Sequence, residues 1–519
     1  MMHTWTIRKH EVVSAGGIVC AQHAEAAAAG ARVLAKGGNA VDAAVVTALV
    51  LSVVEPWLSG IGGGGFMIHA DGRTGTVEAL DFNVAASAHL DPADYPLAGG
   101  SGGDWFQWPA VKDDRNISGY ASICVPGTID GLSTALEKHG TIGWAEALEP
   151  AIALAERGLE IDWFTELCLA IDAANIAAFP TSASILLSGG RVPKVPAMGG
   201  ERYRPMTQKA KTLRRLAKAG PRDFYEGETA RLLVADLEAG GSPIAADDLA
   251  DYRARWCTPL SADYRGNTIN AIPGLSGGPS LAATLAELTR SVAPGGKPTA
   301  DTALAYARAI RQTYHDRLTT MGHAARGEDC TTHISVVDRN GGMASLTNTL
   351  LSRFGSKVTL PHTGFLLNNG MMWFDPRPGV PNRIAPGVRP LANMSPVIVT
   401  KEGRPQLAIG AAGGRQIFPT LAQLLSYVID FGMDLEEAFH APRIDASTPT
   451  IKVNRTADAD VAARIAEEFP VEIVDDTLHP VNFAIPSAVA RNWADGRNRA
   501  MAHPTSPWAA AVTEEACAT

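Results

Sequence analysis

Apolar and polar positions along the first third of the chain alternate between two periods. Residues 23–36 are rich in alanine, carry few breakers and stop at Gly37-Gly38, which predicts a helix with a glycine stop. Asn39 then stands where a cap is needed for a second helix over residues 40–51. The glycine run at residues 60–65 leads into Phe66-Met67-Ile68-His69, read as a strand, and residues 76–82 read as another. The middle of the chain has helical spacing over residues 127–139, 144–157, 205–218, 232–237, 281–288 and 302–315. The character changes abruptly at Thr331. Residues 332–337 largely alternate polar and apolar, Asp338-Arg339-Asn340-Gly341-Gly342 is a turn with Asn-Gly chemistry, and residues 343–350 are strand-like again. That is a hairpin whose first strand begins at Thr331. Further strands are expected at residues 364–367, 396–399 and 406–410, and helices at 420–427 and 434–441. A late β-α-β stretch around residues 452–474 is expected to close the core, and the tail from Ala509 reads as loose.

Size and charge narrow the function classes. A chain of 519 residues is long enough for about three domains, although one large layered α/β unit can use this length. The net charge of −9, with no basic run, argues against nucleic-acid or anionic-membrane partners, which demand clustered Lys and Arg. The most apolar stretch, residues 43–54, is too short to cross a bilayer and is followed by Glu55 and Pro56. Residues 1–17 lack the apolar centre of a signal peptide, so a cytoplasmic location is expected. None of the six cysteines falls in a C-x-x-C pair, and the histidines form no zinc-type cluster, so neither a metal nor another cofactor is expected.

The chemistry concentrates at residues 329–351, D-C-T-T-H-I-S-V-V-D-R-N-G-G-M-A-S-L-T-N-T-L-L. Amide cleavage needs a nucleophile, a base and a site for the oxyanion. A threonine at a free chain start supplies the first two, because its α-amine, with a pKa near about 8, can take the proton of its own hydroxyl. The matching design is a peptide bond cut between Cys330 and Thr331, at the head of a buried strand.

Thr331 to Asp338, Ser345-Leu346-Thr347-Asn348-Thr349, Thr363 to Asn369, Arg389-Pro390-Leu391, Met394-Ser395-Pro396 and Gly413-Gly414 form an ordered set. Upstream, Gly37 to Ala43, Gly62 to Phe66 and Pro126-Gly127-Thr128 extend it. This set resembles the γ-glutamyltransferase (γ-glutamyltranspeptidase) family of N-terminal-nucleophile hydrolases along nearly the whole chain. The resemblance implies a four-layer α-β-β-α sandwich of mixed α and β structure. It implies a proenzyme that cuts itself into residues 1–330 and 331–519, two subunits of one structural unit, with a homodimer left open. Thr331 would then be the nucleophile, Thr349 the group that orients it, and the N–H groups of Gly413 and Gly414 the oxyanion hole, a place where glycine lets backbone approach substrate. His333 is expected to be structural.

The sequence departs from the family where a glutamyl group would be held. An Arg in the family's D-F-R stretch is replaced in Asp81-Phe82-Asn83, and two Ser before M-S-P are replaced by Ala392 and Asn393. The groups that grip the α-amine are replaced by Leu351, Gly370 and Trp373. Losing several charge-assisted hydrogen bonds, each worth about 1.5–3 kcal/mol, removes selectivity for a glutamyl zwitterion. Asn83 and Asn393 could still bond a neutral or singly charged acyl group, with Leu351, Met371, Met372 and Trp373 making the pocket apolar. Arg115, Arg353 and Arg415 are the candidates for meeting a substrate carboxylate. The pattern is similar to the family's glutaryl-type acylases and small-amide amidohydrolases. The expected substrate is a small amide, with a true γ-glutamyl hydrolase or transpeptidase as the alternative. Two readings from other classes remain. Gly274-Leu275-Ser276-Gly277-Gly278 fits the G-x-S-x-G elbow of serine hydrolases, and a homologue that folds without doing chemistry is the last.

Overall fold

The structure, a computed structural model, describes residues 7–101, 108–321, 330–478 and 482–518, and of residue 101, residues 318–320 and residue 330 the backbone alone. Most helices form where apolar spacing and caps predict them. The helix Ala24–Ala35 ends before Gly37, and Ala40–Val54 starts from Asn39, whose side chain accepts from the N–H groups of Val41 and Asp42. Ala40–Val54 is buried on every side, which explains why its sequence is apolar without a polar face. Trp144–Arg157, Thr207–Ala219 and Ala300–Thr320 follow as expected.

Two seven-stranded sheets carry the architecture among the described residues. The first runs Ala510–Thr513, Ile18–Ala21, Cys330–Val337, Met343–Leu351, Gly64–Ala70, Val77–Phe82 and Arg255–Cys257. The second runs Val12–Ser14, Arg497–Ala502, Ile485–Asn492, Arg404–Ala412, Val397–Lys401, Asn267–Ala271 and Leu260–Tyr264. Every neighbouring pair in both is antiparallel. Each sheet draws strands from both sides of Thr331.

Three apolar cores separate the layers. Ile334, Val336, Ala344 and Leu346 on the outer face of the first sheet pack against Ala24–Ala35 and Ala40–Val54. Ile269, Val397, Val399, Leu407 and Ile409 pack against Gly278–Ser291, Ala300–Thr320 and Ile417–Ile429 on the outer face of the second. Between the sheets lie Ile18, Phe66, Ile68, Ile398, Ala408, Val489 and Ala500. This is an α-β-β-α sandwich, in which each sheet buries one face on helices and the other on its partner.

Some local expectations fail for tertiary reasons. Residues 364–367 are not a strand: they make only isolated bridges, Leu367 to Gly62 and Leu366 to Thr359. The late β-α-β stretch forms a separate sheet, Ile444–Asp445, Ile451–Asn454 and Val471–Val474, rather than closing the two main ones. The tail is not loose, because Ala510–Thr513 pairs with Ile18–Ala21 at the edge of the first sheet. No described helix is long and apolar enough to cross a membrane.

Candidate active site

Thr331 sits in the second position of the strand Cys330–Val337 and is fully buried. Its strand neighbour is irregular at that point. Cys330 pairs with Leu351 and Thr332 with Asn348, so two residues, Thr349 and Leu350, oppose Thr331, the count that defines a β-bulge. Leu351 takes up the irregularity with a φ of 83°, a left-handed conformation that a bulky residue adopts only when its surroundings impose it. The bulge brings the two hydroxyls together. Thr331 Oγ1 donates to Thr349 Oγ1 across 3.4 Å, and Thr349 Oγ1 accepts the Leu351 N–H at 2.8 Å. The first contact is long for a hydroxyl pair.

The glycine run before Phe66 serves this hairpin. A Cβ on Gly63 would lie 1.9 Å from the Thr349 carbonyl oxygen, and one on Gly65 would lie 2.1 Å from that of Thr347. Only glycine lets this backbone lie against the strand that carries Thr349. The run is therefore a packing device beside the site.

His333 faces the second sheet, where its ring occupies the space a side chain on Gly410 would need. Its Nδ1 bonds Thr347 Oγ1 at 2.9 Å and its Nε2 bonds Ser335 Oγ at 3.0 Å. Complete burial drives its pKa down to about 3, so the ring is neutral at any working pH. Both nitrogens are spent on internal bonds, the arrangement of a structural histidine.

Gly413 and Gly414 follow the strand Arg404–Ala412 and precede the helix Ile417–Ile429. Both have positive φ, 132° and 54°. They form the head of a short 3-10 turn continuous with that helix, where backbone N–H groups lack intrahelical acceptors and the dipole favours negative charge. Their strand crosses the Thr331 strand at Gly410 and His333, three residues from Gly413 and two from Thr331. The chemistry this permits is attack by a buried hydroxyl, with an anion-stabilising turn on the opposing sheet.

The expected substrate contacts are placed less simply. Asn83 is buried, and its Nδ2 donates to the Pro390 carbonyl at 3.2 Å while its Oδ1 accepts the Val84 N–H at 2.9 Å. Asp81 of the same stretch pairs with Arg389 at 2.6 Å, so the two motifs Asp81-Phe82-Asn83 and Arg389-Pro390-Leu391 clasp each other. Asn393 Oδ1 accepts from Arg317 Nη2 at 3.2 Å. Leu351, Met371, Met372 and Trp373 lie together in the apolar layer between the sheets. Arg115 is half-buried, with its charge felt at the Tyr95 hydroxyl. Arg353 is paired with Asp172 at 2.7 Å. Arg415 is buried, stacked over the Tyr314 ring at 4.9 Å and bonded to the Ser447 carbonyl. A cavity of about 750 Å³ is lined by Asn83, Tyr252, Arg253, Arg255, Arg389 and the loop around Pro273, but not by Thr331.

Two residues escape sequence reasoning. Arg317 is fully buried and donates to the carbonyls of Ser276 and Ala392, each at 2.8 Å, and burial lowers its pKa to about 10. Nothing in its helical surroundings marks it. Glu55 is buried behind the Thr331 strand and accepts from Thr332 Oγ1 at 2.9 Å; a lone acid closing an apolar stretch was the available signal. Ser276 is fully buried, although Gly274 and Leu275 before it are exposed; its Oγ donates to the Ile272 carbonyl at 2.7 Å and accepts the Gly278 N–H at 3.0 Å. That is a loop-stabilising hydroxyl, not an exposed elbow nucleophile. Among the described residues the one group of side chains with metal-ligand spacing is His89, Asp247 and Asp248; His89 and Asp247 are solvent-exposed and already paired to each other at 2.9 Å.

The layered fold is the α-β-β-α sandwich of the N-terminal-nucleophile hydrolase type. The γ-glutamyltranspeptidase family model matches residues 26–326 and 304–492. The acylase ACY 1 proenzyme of Pseudomonas sp. (strain V22) is 34% identical over 482 residues, covering 85% of this chain and 84% of the relative. The glutathione hydrolase proenzyme of Pseudomonas aeruginosa is 32% identical over 509 residues, covering 87% of each. The crystal structure of cephalosporin acylase from Bacillus halodurans shares the fold, with a TM-score of 0.86 at 23% identity over 99% of this chain and 98% of that one. The chain belongs to the γ-glutamyltranspeptidase family, and it is an enzyme of the amidohydrolase and transpeptidase kind.

Proposed function

We propose that the chain is a self-processing amidohydrolase that uses Thr331 as its nucleophile on a small, non-glutamyl acyl amide. The observation that carries this reading is the buried bulge that turns Thr331 Oγ1 toward Thr349 Oγ1. In maturation, Thr331 Oγ1 attacks the Cys330 carbonyl carbon, the peptide C–N bond breaks, and an ester forms as the nitrogen takes up the proton. Water then hydrolyses the ester, leaving a carboxylate on Cys330 and a free α-amine on Thr331. In turnover the α-amine takes the hydroxyl proton and Oγ1 attacks the substrate amide. The N–H groups of Gly413 and Gly414 stabilise the oxyanion, the leaving amine departs with the proton, and water releases the acyl group.

The acyl specificity is read from the pocket. At position 83 an asparagine bonded to Pro390 stands where a glutamyl carboxylate would need a cation, and Leu351 and Trp373 are apolar where its ammonium would need acceptors. A small-amide substrate without a carboxylate fits both halves of this set. A glutaryl group, which lacks the ammonium but keeps the carboxylate, fits the apolar half and calls for another cation such as Arg115 to meet its carboxylate. The relatives named acylase proenzymes support it, and those named glutathione hydrolases keep γ-glutamyl hydrolysis as the competing outcome.

The test is intact-mass analysis of the wild type and of Thr331→Ala, followed by a panel of glutaryl, γ-glutamyl and small dicarboxylic monoamides. The expected result is two fragments parting between Cys330 and Thr331 in the wild type only, with glutaryl or dicarboxylic amides turned over. A folded wild type that stays whole refutes the nucleophile assignment. Preference for γ-glutamyl amides refutes the specificity alone.

A further inference from the structure

Alternate residues of the Thr331 strand face opposite layers. His333 and Ser335 point to the second sheet, whereas Ile334 and Val336 pack on the helices. Thr332 shares the helix side, and there its hydroxyl donates to Glu55 Oε2 at 2.9 Å. Glu55 caps the helix Ala40–Val54, with its N–H bonded to the Leu51 carbonyl and its own carbonyl accepting from Leu58 and Ser59. That turn is in turn tied to the hairpin, because Leu350 N–H donates to the Leu58 carbonyl at 3.1 Å and Phe354 N–H to that of Trp57 at 3.1 Å. A rigid element therefore presents a buried carboxyl to Thr332, the residue that follows Thr331 in the strand. A buried acid with one hydroxyl donor is costly, and packing alone would be served better by an apolar residue.

Consecutive Cα atoms are about 3.8 Å apart. A carboxyl held by Thr332 therefore lies within about 10 Å of the nitrogen that cleavage before Thr331 would free, and the low-dielectric surroundings strengthen their coupling. We infer that Glu55 is a positioning residue of the Thr331 centre: it anchors the new chain start through Thr332 and is the carboxylate partner of the Thr331 α-amine. The inference rests on Thr331 being the nucleophile, and it adds a group that neither the motifs nor the family comparison assigns.

Burial raises the Glu55 pKa to about 8 against the smaller opposing effect of the Thr332 hydroxyl, close to that of an α-amine. The uncut chain therefore holds a neutral acid. Once the amine exists, the proton passes to it, and acid and amine titrate as a coupled pair. The charged groups on elements packed nearby are committed elsewhere. Lys209 Nζ bonds the Ser52 carbonyl, Arg353 pairs with Asp172, and Lys357 Nζ bonds the carbonyls of Arg353 and Gly355.

The experiment compares the full chain as wild type, Glu55→Gln, Thr332→Val and Thr332→Ser. Each is followed by intact mass and by kcat and KM from pH 5 to 10, with glutaryl p-nitroanilide, or the panel amide that the wild type hydrolyses, as probe. Glutamine keeps an acceptor for Thr332 but cannot ionise. Without the carboxylate the ammonium is less favoured, so the acidic limb of kcat should move to lower pH by about one unit. Thr332→Val should cut kcat about tenfold with KM little changed, and Thr332→Ser should restore it. An unshifted limb in a cleaved, active Glu55→Gln enzyme overturns the inference while leaving the nucleophile in place. If Glu55→Gln does not fold, a Thr332→Val enzyme with wild-type kcat overturns it. An uncleaved wild type overturns the underlying reading instead.

Discussion

At the residue scale, the two threonines face each other because the strand pairing slips by one residue beside them. Thr331→Ala should remain a single chain and lose at least about 10³-fold in turnover, whereas Thr331→Ser should still cleave. Thr349→Val keeps the shape but removes the hydroxyl facing Thr331, and should lower kcat by about 10–100-fold without abolishing cleavage. Intact mass checks the cut in each variant, and steady-state kinetics on each purified variant check the turnover. The residues that motif order marked, Thr331 and Thr349, do lie together. Asn83 and Asn393 are expected to meet substrate; in the structure Asn83 lines the cavity with its amide bonded to Pro390 and Val84, and Asn393 accepts from Arg317. Sequence shows which groups a side chain has, not which neighbours claim them.

His333 also makes a pH prediction at this scale. Its folded pKa is depressed to about 3 by burial, against about 6.5 when unfolded. Between those values the unfolded chain binds a proton that the folded chain does not, so stability falls as pH drops from about 6.5 toward 3. His69, lowered to about 4, and His503, also held well below its usual value by burial, act in the same direction. Thermal unfolding from pH 7 to 4 should show the loss, and a folded His333→Gln variant should show a shallower slope. An equal slope would refute the assignment of a neutral buried ring.

At the element scale, the hairpin is positioned by a glycine just before the strand Gly64–Ala70 and another within the strand Arg404–Ala412. Gly63→Ala would drive a methyl into the Thr349 carbonyl oxygen. That contact is backbone on both sides and cannot yield, so the variant should lose self-cleavage or fail to fold. Gly410→Ala meets the edge of the His333 ring at 2.2 Å. Overpacking there should cost about 1–3 kcal/mol in chemical denaturation while the cut still occurs. Helices were legible because their 3.6-residue spacing and caps are local, as at Asn39 and Trp144–Arg157. The strand expected at residues 364–367 fails because its partners, Gly62 and Thr359, offer single bridges rather than a ladder. Pairing is a property of two segments, and one segment's pattern does not contain it.

At the scale of the whole molecule, each main sheet mixes strands from before and after Thr331. Cys330–Val337 lies between Ile18–Ala21 and Met343–Leu351, and Arg404–Ala412 shares its sheet with Asn267–Ala271. The two fragments of a processed chain should therefore comigrate in native gel filtration and separate only in denaturant. Fragments that separate under native conditions would mean that the sheets do not hold after the cut.

The sequence by itself determined the helices, the Thr331 hairpin, the ordered motifs and the family they imply, because each rests on local periodicity or on residue types at fixed spacing. Tertiary structure alone decided that Thr349 meets Thr331 through a bulge, that the tail pairs at a sheet edge, that Ser276 is sealed, and that Glu55 stands behind the strand. Those depend on contacts between residues far apart in the chain, and burial there sets both the partners a polar group finds and the protons it holds.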